Sequence, residues 1–261
     1  MRKTIAALVA LAAIAVPAQA EDITVDLELL LAVDASGSVN DEEFLLQLGG
    51  VAAAFRDPEV HDAIASGPEG RIAAALMIWS DAASRKAVSD WAVIDGPAAA
   101  NAFADTILAQ IPRRRSFLGK TGTGIGAAIG HGLRVMARNG LEGARKTIDV
   151  SGDGPETRLM FGEAMALPEA RRRADRAGVV INGLAILSDD PHLDIYYGAR
   201  VISGPGSFVM AAADFEDFRR AMRLKLVREI RMLIGETESV TRFAAGAPEP
   251  ATPTAGPFAL R

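Results

Sequence analysis

The sequence predicts a three-layer α/β fold: a doubly wound, mostly parallel sheet with helices on both faces. Three observations predict it. Short apolar runs alternate along the chain with longer segments of helical periodicity. The main runs are apolar at nearly consecutive residues, which suits strands covered on both faces. Two of them, ending at Val33 and Val150, stop at clusters of aspartate, serine and glycine, the composition of a loop.

Each element follows from its own pattern. Leu27–Val33 (LELLLAV) is a buried strand bounded by Asp34. Asn40 or Asp41 caps a helix that carries Phe44, Leu45, Leu48, Val51 and Phe55 at helical spacing. Arg71–Trp79 is a second buried strand, and Lys86–Ile94 a shorter one with polar interruptions. Pro97–Ile111 reads as a helix with proline in its first turn. Thr123–Met136 is a helix entered through a glycine-rich turn. Lys146–Val150 is a strand, Glu163–Ala177 a helix ended by Gly178, and Val179–Leu187 the next strand. Ser207–Ala211 is a short last strand. Asp214 then caps a final helix with Phe215, Phe218, Met222, Leu226, Ile230 and Leu233 on one face.

The two ends read differently. Arg2 and Lys3, an apolar Thr4–Val16, Pro17 and Ala18-Gln19-Ala20 make a Sec-type signal peptide, with cleavage expected after Ala20. The apolar run is short of the ~20 residues that a membrane span needs, and no later segment reaches that length. Residues 242–261 (RFAAGAPEPATPTAGPFALR) form a Pro/Ala-rich tail expected to be disordered. The expected organisation is a signal peptide at 1–20, one domain at 21–241 and the tail. The expected location is periplasmic or secreted.

Composition excludes several chemistries. With no cysteine there is no disulfide, thiolate nucleophile, zinc finger or iron–sulfur cluster. His61, His131 and His192 are the only histidines, and no two have metal spacing. The formal charge is −5 with the signal peptide and −7 without its two basic residues, so nucleic acid is not an expected partner. The glycines at 122, 124, 126 and 130 do not make a nucleotide loop. The P-loop form needs glycine where Arg114 stands, and the dinucleotide form needs a preceding strand, which RRRSFLGK is not. Glycines this close together let a helix pack tightly on the sheet.

In a doubly wound sheet, ligands bind beyond the carboxyl ends of the strands. Asp34-Ala-Ser36-Gly-Ser38 follows the first strand, and Ser151-Gly-Asp153-Gly-Pro155 follows Lys146–Val150. Gly119-Lys-Thr-Gly-Thr123-Gly-Ile-Gly126 leads into a helix between them. Alternate residues of a tight loop point to one side, so Asp34, Ser36 and Ser38 can converge on one ion while Gly37 allows the turn. Oxygen-only donors select a hard cation, Mg²⁺ or Mn²⁺, with Ca²⁺ as a further option.

Asp34-Ala-Ser36-Gly-Ser38 after an apolar strand resembles the D-x-S-x-S signature of the von Willebrand factor A (VWA) domain. Thr123-Gly-Ile-Gly-Ala-Ala-Ile is similar to that family's threonine segment, which Thr121 fits less well. Gly152-Asp153-Gly154 resembles its T-D-G segment, with glycine in place of the usual threonine; Asp149 lies inside the strand and fits less well. The likeness spans about Val25 to Gly235 and extends to a branch of exported bacterial domains of unknown function. It implies a Rossmann-like, VWA-like fold with a metal-ion-dependent adhesion site (MIDAS) in which Asp34, Ser36, Ser38, Thr123 and Asp153 hold Mg²⁺ or Mn²⁺. It also implies a protein partner engaged through a carboxylate.

Two other functions compete with this binding module. A metal-dependent phosphohydrolase of the haloacid dehalogenase type would need Asp-x-Asp, and Ser36 stands at the second position. Without an evident general base, no enzyme is expected. A scaffold that keeps the fold and uses no metal is the third reading. The residues themselves also have plainer roles: Asp34, Ser36, Ser38 and Asp153 as turn formers or caps, and Thr123 as a helix N-cap.

Overall fold

The computed structural model describes residues 23–84, 86–113, 122–157 and 165–232. In chain order its elements are β1 (Ile23–Asp34), α1 (Asp41–Phe55), α2 (Pro58–Ala65), β2 (Ile72–Trp79), β3 (Ala87–Val88), β4 (Ala92–Ile94), α3 (Pro97–Leu108), α4 (Ile125–Met136), β5 (Leu141–Gly152), α5 (Leu167–Arg176), β6 (Val179–Ile186), α6 (Leu193–Tyr196) continued by a wide π turn (Tyr197–Val201), β7 (Val209–Ala212) and α7 (Phe218–Arg231). The signal peptide, the C-terminal tail and Arg114 to Thr121 lie outside the described residues.

The strand order is β3-β2-β1-β5-β6-β7, with β4 also paired to β2. The five strands β2, β1, β5, β6 and β7 run parallel, while β3 and β4 are short antiparallel additions at the β2 edge. The chain leaves β1 for β2 on one side and later enters β5 on the other. The crevice beyond the ends of β1 and β5 is therefore the switch point of the winding.

The alternation of β1 divides the core. Leu27, Leu29, Leu31 and Val33 face α1, α3 and α7, packing with Phe44, Val51, Phe103, Phe218 and Leu226. Leu30 and Ala32 face the other way, with Ile125 and Ile129 of α4 and Ala170 of α5. The helices thus cover both faces, as the continuous apolar strands require.

Several boundaries differ from the sequence reading. β5 begins five residues before Lys146, because its polar first half pairs in register with β1, Leu141 opposite Ile23 and Arg145 opposite Leu27. The single strand expected over Lys86–Ile94 is two short ones, β3 and β4, separated at Ser89–Trp91. Asp214 does not cap α7; it accepts the Asp217 N–H at 2.8 Å in a turn before the helix begins. Helix α2 was not expected. Asp57 caps it by accepting the Glu59 N–H at 2.9 Å, and Pro58 fills its first turn.

Candidate functional site

Three loops leave the same edge of the sheet. Asp34 ends β1 opposite Trp79 of β2, and on the other side Val33 lies opposite Ser151 of β5, two residues before Asp153. The threonine loop, second of the three in chain order, is drawn in by the Gly124 N–H, which donates to the Ser80 carbonyl just past β2 at 3.0 Å. The Thr123 N–H donates to Thr157 Oγ1 at 2.7 Å and the Thr157 N–H returns to the Thr123 carbonyl at 2.9 Å, tying the threonine loop to the loop after β5.

Within this frame the five candidate ligands take up distinct places. Asp34 Oδ1 accepts the Ser36 N–H at 2.7 Å, and Ser36 Oγ lies 3.3 Å from Ser38 Oγ. Ser38 Oγ donates to Asp153 Oδ1 at 2.8 Å across the loops. Thr123 Oγ1 lies 4.0 Å from where a Cβ on Gly154 would stand. Asp34, Ser36, Thr123 and Asp153 are buried, whereas Ser38 is exposed. The group is a polar well whose open side is Ser38. Gln47 of α1 donates to the Asp34 carbonyl at 3.1 Å and fixes the end of β1 from below.

The plainer roles are mostly filled by other residues. Asn40 caps α1, in a reciprocal capping box with Glu43. Thr123 does not cap α4, whose first residue is Ile125; Glu156 accepts the Gly126 N–H at 3.0 Å instead. Asp34 forms the expected local turn by accepting the Ser36 N–H. The glycines of α4 act in packing: a Cβ on Gly126 would stand 2.5 Å from the Leu167 nitrogen, and one on Gly132 2.7 Å from the Leu30 side chain.

The electrostatics are those of buried negative charge. Burial raises the Asp153 carboxyl above its ordinary value, Asp189 and Glu43 push it further, and the Ser38 hydrogen bond opposes the rise. A divalent cation would relieve that penalty. Among the described residues no three His, Cys, Asp or Glu side chains gather to hold a metal, so any ion here depends on hydroxyl donors. Two buried carboxylates with three hydroxyls on the same loops fit a hard cation.

Sequence reasoning missed four residues of this neighbourhood. Glu156 and Thr157 follow Asp153 on the same loop and lock it to α4. Tyr196 accepts the Glu156 N–H on its hydroxyl at 3.1 Å. Tyr197 is fully buried and sends its hydroxyl to the loop edge beside Asp34, where burial and the charges of Asp34 and Asp153 hold it well above its ordinary pKa. Two consecutive tyrosines, the only two in the chain, were the available signal. The histidines are apart, as expected: His61 bonds to the Phe55 carbonyl, His131 lies 3.3 Å from Arg134, and His192 is exposed.

Comparison with known proteins agrees with this architecture. The pilus adhesin SpaC from Lactobacillus rhamnosus GG superposes with a TM-score of 0.55 at 13% identity, covering 79% of this chain and 31% of SpaC. Proximal thread matrix protein 1 from the mussel byssus superposes with a TM-score of 0.51 at 15% identity, covering 81% of this chain and 48% of that protein. The vWF domain of the pili tip protein Mfa5 from Porphyromonas gingivalis gives a TM-score of 0.44 at 12% identity, covering 78% of this chain and 97% of that one. The chain thus spans less than half the length of the first two. A search of curated protein sequences finds no match. A family model described as "Protein of unknown function (DUF1194)" matches residues 24–234, and on that match the chain, with its mostly parallel α/β sheet, belongs to the DUF1194 family.

Proposed function

We propose that this protein is an exported, divalent-metal-dependent binding module of the adhesion type, which engages an acidic group on a partner protein. The observation that carries the reading is the Ser38–Asp153 hydrogen bond of 2.8 Å, which joins the first and third loops above the buried Asp34. Asp34, Ser36, Ser38, Thr123 and Asp153 would hold the ion, Mg²⁺ or Mn²⁺. A cation so bound supplies an electrophilic position open to a carboxylate of the partner. The protein's own part is to bury Asp34, Ser36, Thr123 and Asp153 on packed loops and leave Ser38 at the mouth. The likeness to an adhesin and a matrix protein supports a binding role over a catalytic one. The leader with its Ala18-Gln19-Ala20 site supports export to the periplasm or medium, and N-terminal sequencing of the secreted chain should begin at Glu21.

The test is calorimetric titration of Mn²⁺ and Mg²⁺ into the purified exported chain, with Asp34→Ala as control. Saturable binding that the variant loses supports the site and justifies a metal-dependent capture of the partner. Wild-type protein that binds neither ion overturns the reading in favour of a metal-free scaffold.

A further inference from the structure

Tyr197 reaches the loop edge along a path cleared by two glycines on different strands. A Cβ on Gly183 of β6 would stand 2.7 Å from Tyr197 Cδ1, and a Cβ on Gly152 of β5 would stand 2.8 Å from the Tyr197 hydroxyl. The ring therefore lies across β6 and β5 on the face covered by α4 and α5. Its hydroxyl arrives at the end of β1, since the same point above Gly152 is 2.8 Å from Asp34 Oδ2. Tyr197 opens the wide turn after α6, and the Ile202 N–H closes that turn on the Tyr197 carbonyl at 3.1 Å. Such π turns gather at functional sites.

The hydroxyl is buried and has no hydrogen-bond partner among the described residues. A buried donor without a partner destabilises a fold, and native proteins seldom keep one without a reason. Phenylalanine would fill the same trough with no such penalty. What the hydroxyl adds is a donor beside Asp34, in the space that a side chain at residue 152 would otherwise occupy. Gly152 is the one departure from the VWA pattern noted in the sequence, and the tyrosine supplies an oxygen where the usual threonine would begin.

We infer that Tyr197 is a positioning residue for the candidate metal site: in the metal-bound protein its hydroxyl would donate to the Asp34 carboxylate across the space above Gly152 and turn it toward the cation. This rests on the reading of Asp34 as a metal ligand. Hydrogen bonds to metal-ligating side chains commonly set affinity by ~10–100-fold.

The test compares wild type with Tyr197→Phe in two measurements: Mn²⁺ affinity by calorimetry and the melting temperature without metal. The expected result is a Kd for Mn²⁺ raised ~10-fold or more, with a metal-free melting temperature unchanged or higher. Two results overturn the inference and leave the metal site standing: equal Mn²⁺ affinity in both proteins, or weaker Mn²⁺ binding in a variant that also melts lower without metal. Wild type that binds no Mn²⁺ overturns the metal site and this inference together. Gly152→Ala gives an independent check, because its Cβ must displace both the hydroxyl and Asp34 Oδ2. It should weaken Mn²⁺ binding at least as much as Tyr197→Phe, and undiminished binding in this variant also overturns the inference.

Discussion

Lys225 of α7 places its ammonium 2.8 Å from Asp149 Oδ1 in the middle of the sheet, and both side chains are excluded from solvent. The same ammonium lies 3.0 Å from Glu229 Oε2 one helical turn on, and Glu229 Oε1 accepts from Asn182 of β6 at 2.8 Å. Burial alone would lower the lysine pKa, but the two carboxylates carry it above its ordinary value. The last helix is therefore fastened to β5 and β6 by charge as well as by Phe218 and Leu226. Removing one partner of a buried ion pair leaves the others uncompensated, at a cost of roughly 3–5 kcal/mol. Lys225→Met, close in volume, should destabilise the protein by that amount in urea denaturation. A change below about 1 kcal/mol, the range of exposed pairs, would show that the cluster contributes nothing.

The same cluster gives a pH dependence of known sign. Burial raises the Asp149 carboxyl to about 7, against the pull of Lys225 and with the help of Glu229. Its ordinary value in an unfolded chain is ~4. Between those values the folded protein binds the proton and the unfolded chain does not. The associated stability is fully present below pH ~4 and is lost as pH rises through about 7. Melting temperatures taken at about pH 5 and about pH 8 should therefore fall toward the higher pH. Asp149→Asn, which cannot ionise, should lose at least about half of that fall. A variant with the wild-type slope would place its origin elsewhere.

This cluster also marks where the sequence stops being legible. Strands β1, β2 and β6 are apolar on both faces, so their runs identify them at sight. The loops that follow β1 and β5 carry a recognisable order of Asp, Ser and Gly. Lys225 and Glu229, by contrast, lie on the buried side of a helix whose apolar face was read from Phe218, Met222 and Leu226. Their burial depends on Asp149 and Asn182, residues 76 and 47 positions away from their respective partners. Helix α2 was lost for a different reason: Asp57-Pro58 reads equally as a turn and as a cap followed by a first-turn proline. Tyr197 was lost because its place in the fold requires two glycines, at 152 and 183, that only strand pairing brings together.

The glycines of α4 invite a test of packing. A Cβ on Gly126 would stand 2.5 Å from both the Leu167 nitrogen and the Met165 carbonyl oxygen, which are backbone atoms that cannot rotate away. Gly126→Ala should push α5 from α4 and destabilise the protein by ~1–3 kcal/mol, the range for overpacked sites. In thermal melts of a domain this size that is a drop of roughly 2–10 °C. Gly49, on the opposite face of the sheet, meets no atom within 4 Å of its Cβ position. Gly49→Ala should raise the melting temperature slightly, since alanine is the better helix former by ~1 kcal/mol. If both substitutions act alike, packing is not what keeps residue 126 a glycine.

Ser38 separates the candidate metal site from the stability of its frame. Its hydroxyl bonds to Asp153 at 2.8 Å and lies 3.3 Å from Ser36 Oγ, yet the residue is exposed, and neither α1 nor the sheet depends on it. Exposed substitutions away from caps and cores change stability by less than ~0.5 kcal/mol. Ser38→Ala should therefore melt within ~1–2 °C of wild type without metal. It removes both a candidate ligand and the bond that holds Asp153 in place, and loss of either kind of contact typically lowers metal affinity by ~10–100-fold. The expected signature is a Mn²⁺ Kd at least ~10-fold higher on an unperturbed fold. An unchanged Kd would remove Ser38 from the ligand set and leave the ion to Asp34, Ser36, Thr123 and Asp153. A large loss of stability without metal would instead make the Ser38–Asp153 bond a structural clasp between the first and third loops.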